Sequence, residues 1–355
     1  MIKYLGSKRT LLPAIFEVVQ SNPDTRSVID LFSGTSRVGH SLKKAGLQVL
    51  ANDHTHYAHT LAKCYVSADA EDVVQDAAVL VKELNLVRGA PGYFTETFCK
   101  ESRFFTEENG ARVDAIRARL ETLNLEEPLR SVMLTSLMEA ADRVDSTCGV
   151  QMAYLKSYAK RAKREIEMRV PDVLERAKAG KGSAACLDAY DAAQELSADV
   201  AYLDPPYNQH AYLGNYHVWE TLVLNDQPTH YGVACKRVDV KERKSDFNSK
   251  RKFKESFAKL IDAVDANMLV VSFSNEGYLS VEDMMQVLSS RGDVEVYSLD
   301  YKRYVGAQIG IHNRNGERVG EVSHLRNREL IFRVASSKKM QNRLKKVSLP
   351  AMAAL

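Results

Sequence analysis

Apolar residues recur along this chain at two different spacings, and the change of spacing divides it into parts. Short runs rich in β-branched and small apolar residues lie at 27–31, 48–51, 184–187, 199–203, 268–273, 293–301 and 329–334, and each predicts a strand. Between the first two, Val38, Leu42 and Ala45 keep helical spacing, and Gly46 supplies a stop. Leu11, Ile15 and Val18 line one face of an earlier helix. Strands alternating with helices predict an α/β fold with a mostly parallel, doubly wound sheet covered on both faces.

The middle of the chain follows another pattern. From about 68 to 180 strand signals are few and helical spacing repeats, as in Val113, Ile116 and Leu120, then Leu134, Leu137, Met138 and Ala141. This predicts a helical insertion, a second subdomain that splits the sheet domain. Pro171 and the small residues 179–183 mark the return to the sheet. The expected division is 1–67 and 181–335 for the sheet domain, 68–180 for the insertion and 336–355 for a basic flexible tail.

Composition narrows the class of protein. Among the 355 residues, 45% are hydrophobic and 27% charged, the values of an ordinary soluble globular chain. No run approaches the roughly 18 apolar residues that span a bilayer, and the N-terminus lacks the apolar core of a signal peptide. Cys64, Cys99, Cys148, Cys186 and Cys235 are scattered and form no C-x-x-C pair. That speaks against a disulfide framework or a zinc site and suits a reducing cytoplasm. His54, His56 and His59 lack partnering acids or cysteines, so they read as a helix surface and no metal site is expected.

Charge is uneven along the chain. Segment 156–169 has six Lys/Arg against two acids, 236–254 has nine against three, and 338–346 has five with none, although the whole chain is only +3. An acidic body with basic segments is the pattern of a nucleic-acid binder, because Lys and Arg neutralise phosphates. Solvated helix faces and a free tail would give the same counts.

Two motifs carry candidate chemistry. Residues 30–39, Asp30-Leu-Phe32-Ser-Gly34-Thr-Ser36-Arg-Val-Gly39, follow a strand and open a helix. Gly34 permits a tight turn and close approach of a ligand to the helix N-terminus, and Asp53, after the second strand, stands where an acid accepts ribose hydroxyls. A dinucleotide loop would carry glycine where Ser36 stands, so a cofactor without a pyrophosphate fits better. The second motif, Asp204-Pro205-Pro206-Tyr207, ends the strand at 199–203. Its prolines stiffen the loop and remove competing N–H donors. A carboxylate and a backbone carbonyl can then converge on one amino group beside an aromatic face. Such an amine is a poor nucleophile, and two acceptors on its protons localise its lone pair.

With Lys3-Tyr4-Leu5-Gly6-Ser7-Lys8 ahead of the loop, Asn52-Asp53 after it and Asp-Pro-Pro-Tyr last, the chain resembles the Dam-type, alpha-arrangement N6-adenine DNA methyltransferases. The resemblance implies a Rossmann-like methyltransferase sheet and S-adenosylmethionine as cofactor. It implies cofactor contacts from Tyr4, Lys8, Asp30, Phe32, Gly34, Asp53, Asp188 and Asp204, and catalysis by Asp204, Pro205, Pro206 and Tyr207. Ser36 departs from the glycine of many relatives, which bears on the shape of that loop. The partner implied is double-stranded DNA, with an adenine flipped into the site and target recognition assigned to the insertion. A restriction endonuclease as system partner, a monomeric state and a cytoplasmic location complete the expectation. Lys236, Arg237, Lys250, Arg251 and Lys252 are the residues expected on the DNA backbone, with Phe247 and Phe253 among them, and Tyr212, Tyr216 and Trp219 line either the target pocket or the core. An amino-methylating RNA enzyme and a catalytically silent DNA-binding protein remain alternatives.

Overall fold

Alternation of side chains along seven apolar segments builds the central sheet. The computed structural model describes residues 1–209, 211–302, 311–312, 318–320, 326–347 and 349. Its sheet strands are β1 (Ser27–Asp30), β2 (Gln48–Asn52), β3 (Ser183–Ala185), β4 (Ser197–Leu203), β5 (Asp265–Ser274), β6 (Asp293–Lys302) and β7 (Arg326–Ala335). They lie in the order β3-β2-β1-β4-β5-β7-β6. The first five run parallel, and β7 enters antiparallel between β5 and β6. Each expected strand coincides with an observed one, its ends displaced by a few residues.

The longer helices are α1 (Leu12–Val19), α2 (Arg37–Lys44), α3 (His56–Ala62), α4 (Ala70–Asn85), α5 (Glu107–Thr122), α6 (Leu129–Arg143), α7 (Ala189–Glu195), α8 (His217–Leu224), α9 (Phe253–Ala263) and α10 (Val281–Leu288). Odd and even positions of a strand face opposite ways, and the core follows that rule. Ile29, Ala201, Leu203, Leu269, Val271 and Phe332 pack with Ala192, Phe257 and Met284 under α7, α9 and α10. Val28, Val200, Tyr202, Met268, Val270 and Ile331 pack with Ile15, Leu42 and Val66 from the opposite side. Both faces are therefore buried, as the near-continuous apolar strands require. None of the described helices is long and apolar enough to cross a membrane.

A third core joins the helical part to the rest. Val113, Ile116, Leu134, Leu137 and Met138 share it with Tyr57, Leu61, Tyr216, Trp219 and Leu222. The helical layer thus recruits α3 and α8, which lie outside 68–180. Within that span helix ends at Arg143 and, apart from a short turn at Lys160–Lys163, gives way to irregular chain up to β3. Ile166 and Met168 are buried while Glu165, Glu167 and Arg169 are exposed, a period of two that no helix matches.

The expected tail needs correction over its described part. Lys338–Gln341 forms a helical turn, and Met340, Leu344, Val347 and Leu349 pack against the sheet core. Arg343 pairs with Asp24 at 2.5 Å, and Lys345 N–H donates to the Ser21 carbonyl. The basic count concealed apolar residues spaced two to four places apart. Residues 348 and 350–355 of that segment lie outside the described residues.

Candidate active site

The carboxyl ends of β1, β2 and β4 converge on one open cleft, the place where open α/β sheets bind ligands. Tyr4, Lys8, Asp30, Phe32, Gly34, Asp53, Asp204 and Pro206 all line it. An adjoining shallow pocket shares Phe32, Asp53 and His54 and adds Leu187 and Asp188.

The loop after β1 is held from below and beside. Ser33 N–H donates to the Asn52 carbonyl at 2.9 Å, and Gly34 N–H to Asp53 Oδ2 at 3.0 Å. Asp53 Oδ1 accepts from Thr55 N–H and Oγ1, which fixes the carboxylate while leaving lone pairs for a ligand. Asn52 donates to the carbonyls of Leu31 and Leu187 and accepts from Leu187 N–H, tying three strand ends together. Gly34 sits at φ +50°, and a Cβ there would meet the Tyr4 hydroxyl at 3.2 Å. Ser36 also adopts a left-handed conformation, φ +57°, which explains why glycine suits this place.

Asp30 lies under the loop, almost fully buried, with Oδ2 accepting from Gly39 N–H at 3.1 Å. Burial, with the nearby Asp204 charge, pushes its carboxyl up to about 7. Ser33 Oγ and Arg37 Nε, both from cleft-lining residues, are buried with no hydrogen-bond partner among the described residues. Unspent polar atoms of this kind are expected where a ligand completes the bonding, so the donor set fits an adenosyl cofactor. Asp188 caps α7 with Oδ1 accepting from Tyr190 N–H at 2.9 Å, and it remains exposed to the adjoining pocket.

The N-terminal segment forms the opposite wall. The Tyr4 ring is stacked between Tyr212 and Tyr216, with centroids 5.1 and 4.6 Å away. Leu5 N–H donates to the Tyr216 hydroxyl, and Lys3 pairs with Asp145 at 3.0 Å. Of the three aromatics left open by the sequence, Tyr212 lines the cleft, whereas Tyr216 and Trp219 are core residues.

Asp204 leaves the end of β4 with 21% of its side chain exposed, and Lys8 Nζ stands 3.1 Å from its Oδ1. Burial raises the Asp204 carboxyl and Lys8 opposes that rise. Tyr207 packs on Phe273 at 5.2 Å, and its carbonyl accepts from Tyr278 N–H. Lys8 is also 3.4 Å from Glu329 Oε2 on β7. Sequence reasoning missed Glu329. Its only signal was an acid opening the expected, mostly apolar run 329–334.

The expected DNA contacts separate into two groups. Arg237 is buried and forks onto Asp226 at 2.7 Å and Asp239 at 2.9 Å, so it braces the fold and is not free to meet a phosphate. Phe247 and Phe253 are likewise core residues. Lys236 is half-buried on a small ribbon with His230–Tyr231, its Nζ against Met152 sulfur. Lys250, Arg251 and Lys252 are exposed, Lys252 pairing with Asp246 at 2.8 Å. Just before them, Asn248 Nδ2 donates to the Asn208 carbonyl, one residue beyond the Asp204–Tyr207 tetrapeptide.

Comparison with known proteins agrees with this geometry. A family model of the D12 class N6 adenine-specific DNA methyltransferases matches residues 4–287. The chain is 31% identical over 325 residues to Type II methyltransferase M.FokI of Planomicrobium okeanokoites, covering 85% of this chain and 50% of that one. It is 28% identical over 327 residues to modification methylase StsI of Streptococcus sanguinis, covering 87% and 50% respectively. Against Type II methyltransferase M.NlaIII of Neisseria lactamica it is 28% identical over 336 residues, 91% of this chain and 98% of that one. The chain therefore spans about half the length of the first two and nearly all of the third.

Proposed function

This chain belongs to the D12 class of N6 adenine-specific DNA methyltransferases, and from that membership we propose that it methylates the N6 amino group of an adenine flipped out of double-stranded DNA. S-adenosylmethionine, when bound, supplies an electrophilic methyl group on its sulfonium. Asp53 and Asp188 hold its ribose and adenine, and Phe32, Gly34 and Tyr4 shape the cleft around it. Asp204 and a carbonyl of its proline-stiffened loop accept the two amine hydrogens, and Tyr207 stacks on the base. The observation that carries this reading is the position of Asp204, in the wall of the cleft at a parallel-strand end with its Oδ1 3.1 Å from Lys8 Nζ. In the same reading the division 1–67, 68–180 and 181–335 stands, with 68–180 contributing target recognition. Lys250, Arg251 and Lys252 meet the DNA backbone beside the catalytic loop, and a restriction endonuclease is the system partner.

The test is to incubate purified protein with S-adenosylmethionine and mixed-sequence duplex DNA, then digest to nucleosides and identify the product by mass spectrometry. N6-methyladenine is expected, with structured RNA failing to compete. Methylcytosine, or preference for RNA, would overturn the reading.

A further inference from the structure

Lys8, near the start of the chain, stands between two carboxylates from far along it, Asp204 and Glu329. Its Nζ is 3.1 Å from Asp204 Oδ1 and 3.4 Å from Glu329 Oε2, and Lys8 and Glu329 are nearly buried. Neither contact has the 2.7–2.9 Å length typical of a full N⁺–H···O⁻ bond. One ammonium is thus divided between two acids. The role of Asp204 proposed above needs a carboxylate that is ionised yet still a strong acceptor. An ammonium seated wholly on Asp204 would occupy lone pairs and cancel the charge that draws in the amine hydrogens. No ammonium at all would leave burial to protonate it.

We propose that Glu329 is a positioning residue for methyl transfer, drawing Lys8 partly off Asp204 so that the catalytic carboxylate stays ionised but only half neutralised. The inference rests on the reading of Asp204 as the amine acceptor. Among the described residues, the other titratable groups around the trio are Asp30 on β1, Tyr202 on β4, Tyr207 and Tyr212 on the segment after it, and Glu276 after β5. Burial brings the Asp30 carboxyl up to about 7, so the acid limb of activity needs an independent assignment. A sequence search for this arrangement fails because Glu329 lies 321 positions from Lys8.

The proposal has an unusual signature. In Glu329→Gln, Lys8 settles fully on Asp204, so the enzyme should be slower by roughly tenfold in kcat although its acid limb moves down by ~0.5–1 pH unit. Carboxyl carbon-13 NMR of aspartate-labelled, cofactor-free protein, with Asp204→Asn assigning the signal, should show the same downward shift. Lys8→Met should move both midpoints up. The urea unfolding midpoint serves as the folding control. Parent-like kcat and midpoint in Glu329→Gln would overturn the proposal, as would a slower enzyme with an unmoved midpoint, the mark of a merely structural acid. Should Glu329→Gln not fold, Glu329→Asp, with its carboxylate one methylene further back, must fall below the parent in both readouts. Parent values there overturn it equally. If instead Asp204→Ala retains transfer, the reading of Asp204 falls, and that outcome is distinct from an inert Glu329.

Discussion

Asp30 is buried beneath the loop it shapes, and that placement has a consequence for stability. Its carboxyl is raised from 3.8 to about 7 by burial, then by Asp204. A raised value in the folded state means that folding favours the protonated acid. The stabilisation is complete below pH ~4 and is lost as pH rises towards 7, by about 4 kcal/mol over some three units. Replacing Asp30 with Asn should remove that slope, so the difference in unfolding free energy between variant and parent, followed by urea denaturation, should change between pH 4 and 7.5. A constant difference would mean that Asp30 is ionised throughout. At this scale the sequence was informative about residues with a local reason to be where they are. Gly34 needs its positive φ, Asp53 follows a strand end, and Asp204 is fixed by two prolines. Lys8 was legible as a cleft residue, but its division between two acids depends on chain closure.

At the scale of elements, strands and amphipathic helices were legible because their periods are written in the sequence. The stretch 144–182 was not, since its backbone is satisfied by distant side chains. Asn109 Nδ2 donates to the carbonyls of Ala162 and Arg164, and its Oδ1 accepts from Ile166 N–H. Asn85 repeats the arrangement at both polar groups of Met168. Two asparagines thus replace a strand partner. Asn109→Ala leaves three backbone groups unpaired, one of them fully buried with Ile166, and is expected to cost ~3 kcal/mol of stability. Chemical denaturation checks this, while affinity for S-adenosylmethionine should be unchanged because Asn109 is remote from the cleft lining. A loss below about 1 kcal/mol would mean that the strap is held chiefly by Ile166 and Met168.

For the whole molecule, the basic count in 236–254 overstated the surface available to DNA. Arg237, Arg243, Lys252 and Lys254 are engaged by acids of the same molecule, and sequence alone could not tell an engaged cation from an open one. Lys250 and Arg251 remain exposed beside the loop that Asn248 ties to the active site. Neutralising Lys250, Arg251 and Lys252 should reduce the log–log salt slope of DNA binding by ~1.8–2.7, the lower figure applying if Lys252 stays with Asp246. Site preference should survive, because phosphate contacts carry no base information. An unchanged slope would return the DNA track to 156–169. The central claim, that the end of β4 presents the amine acceptor, is tested most directly by single-turnover methyl transfer in Asp204→Ala. The account predicts a loss of at least ~10²–10³-fold in an enzyme that still folds and binds duplex DNA. Transfer within about tenfold of the parent would contradict it.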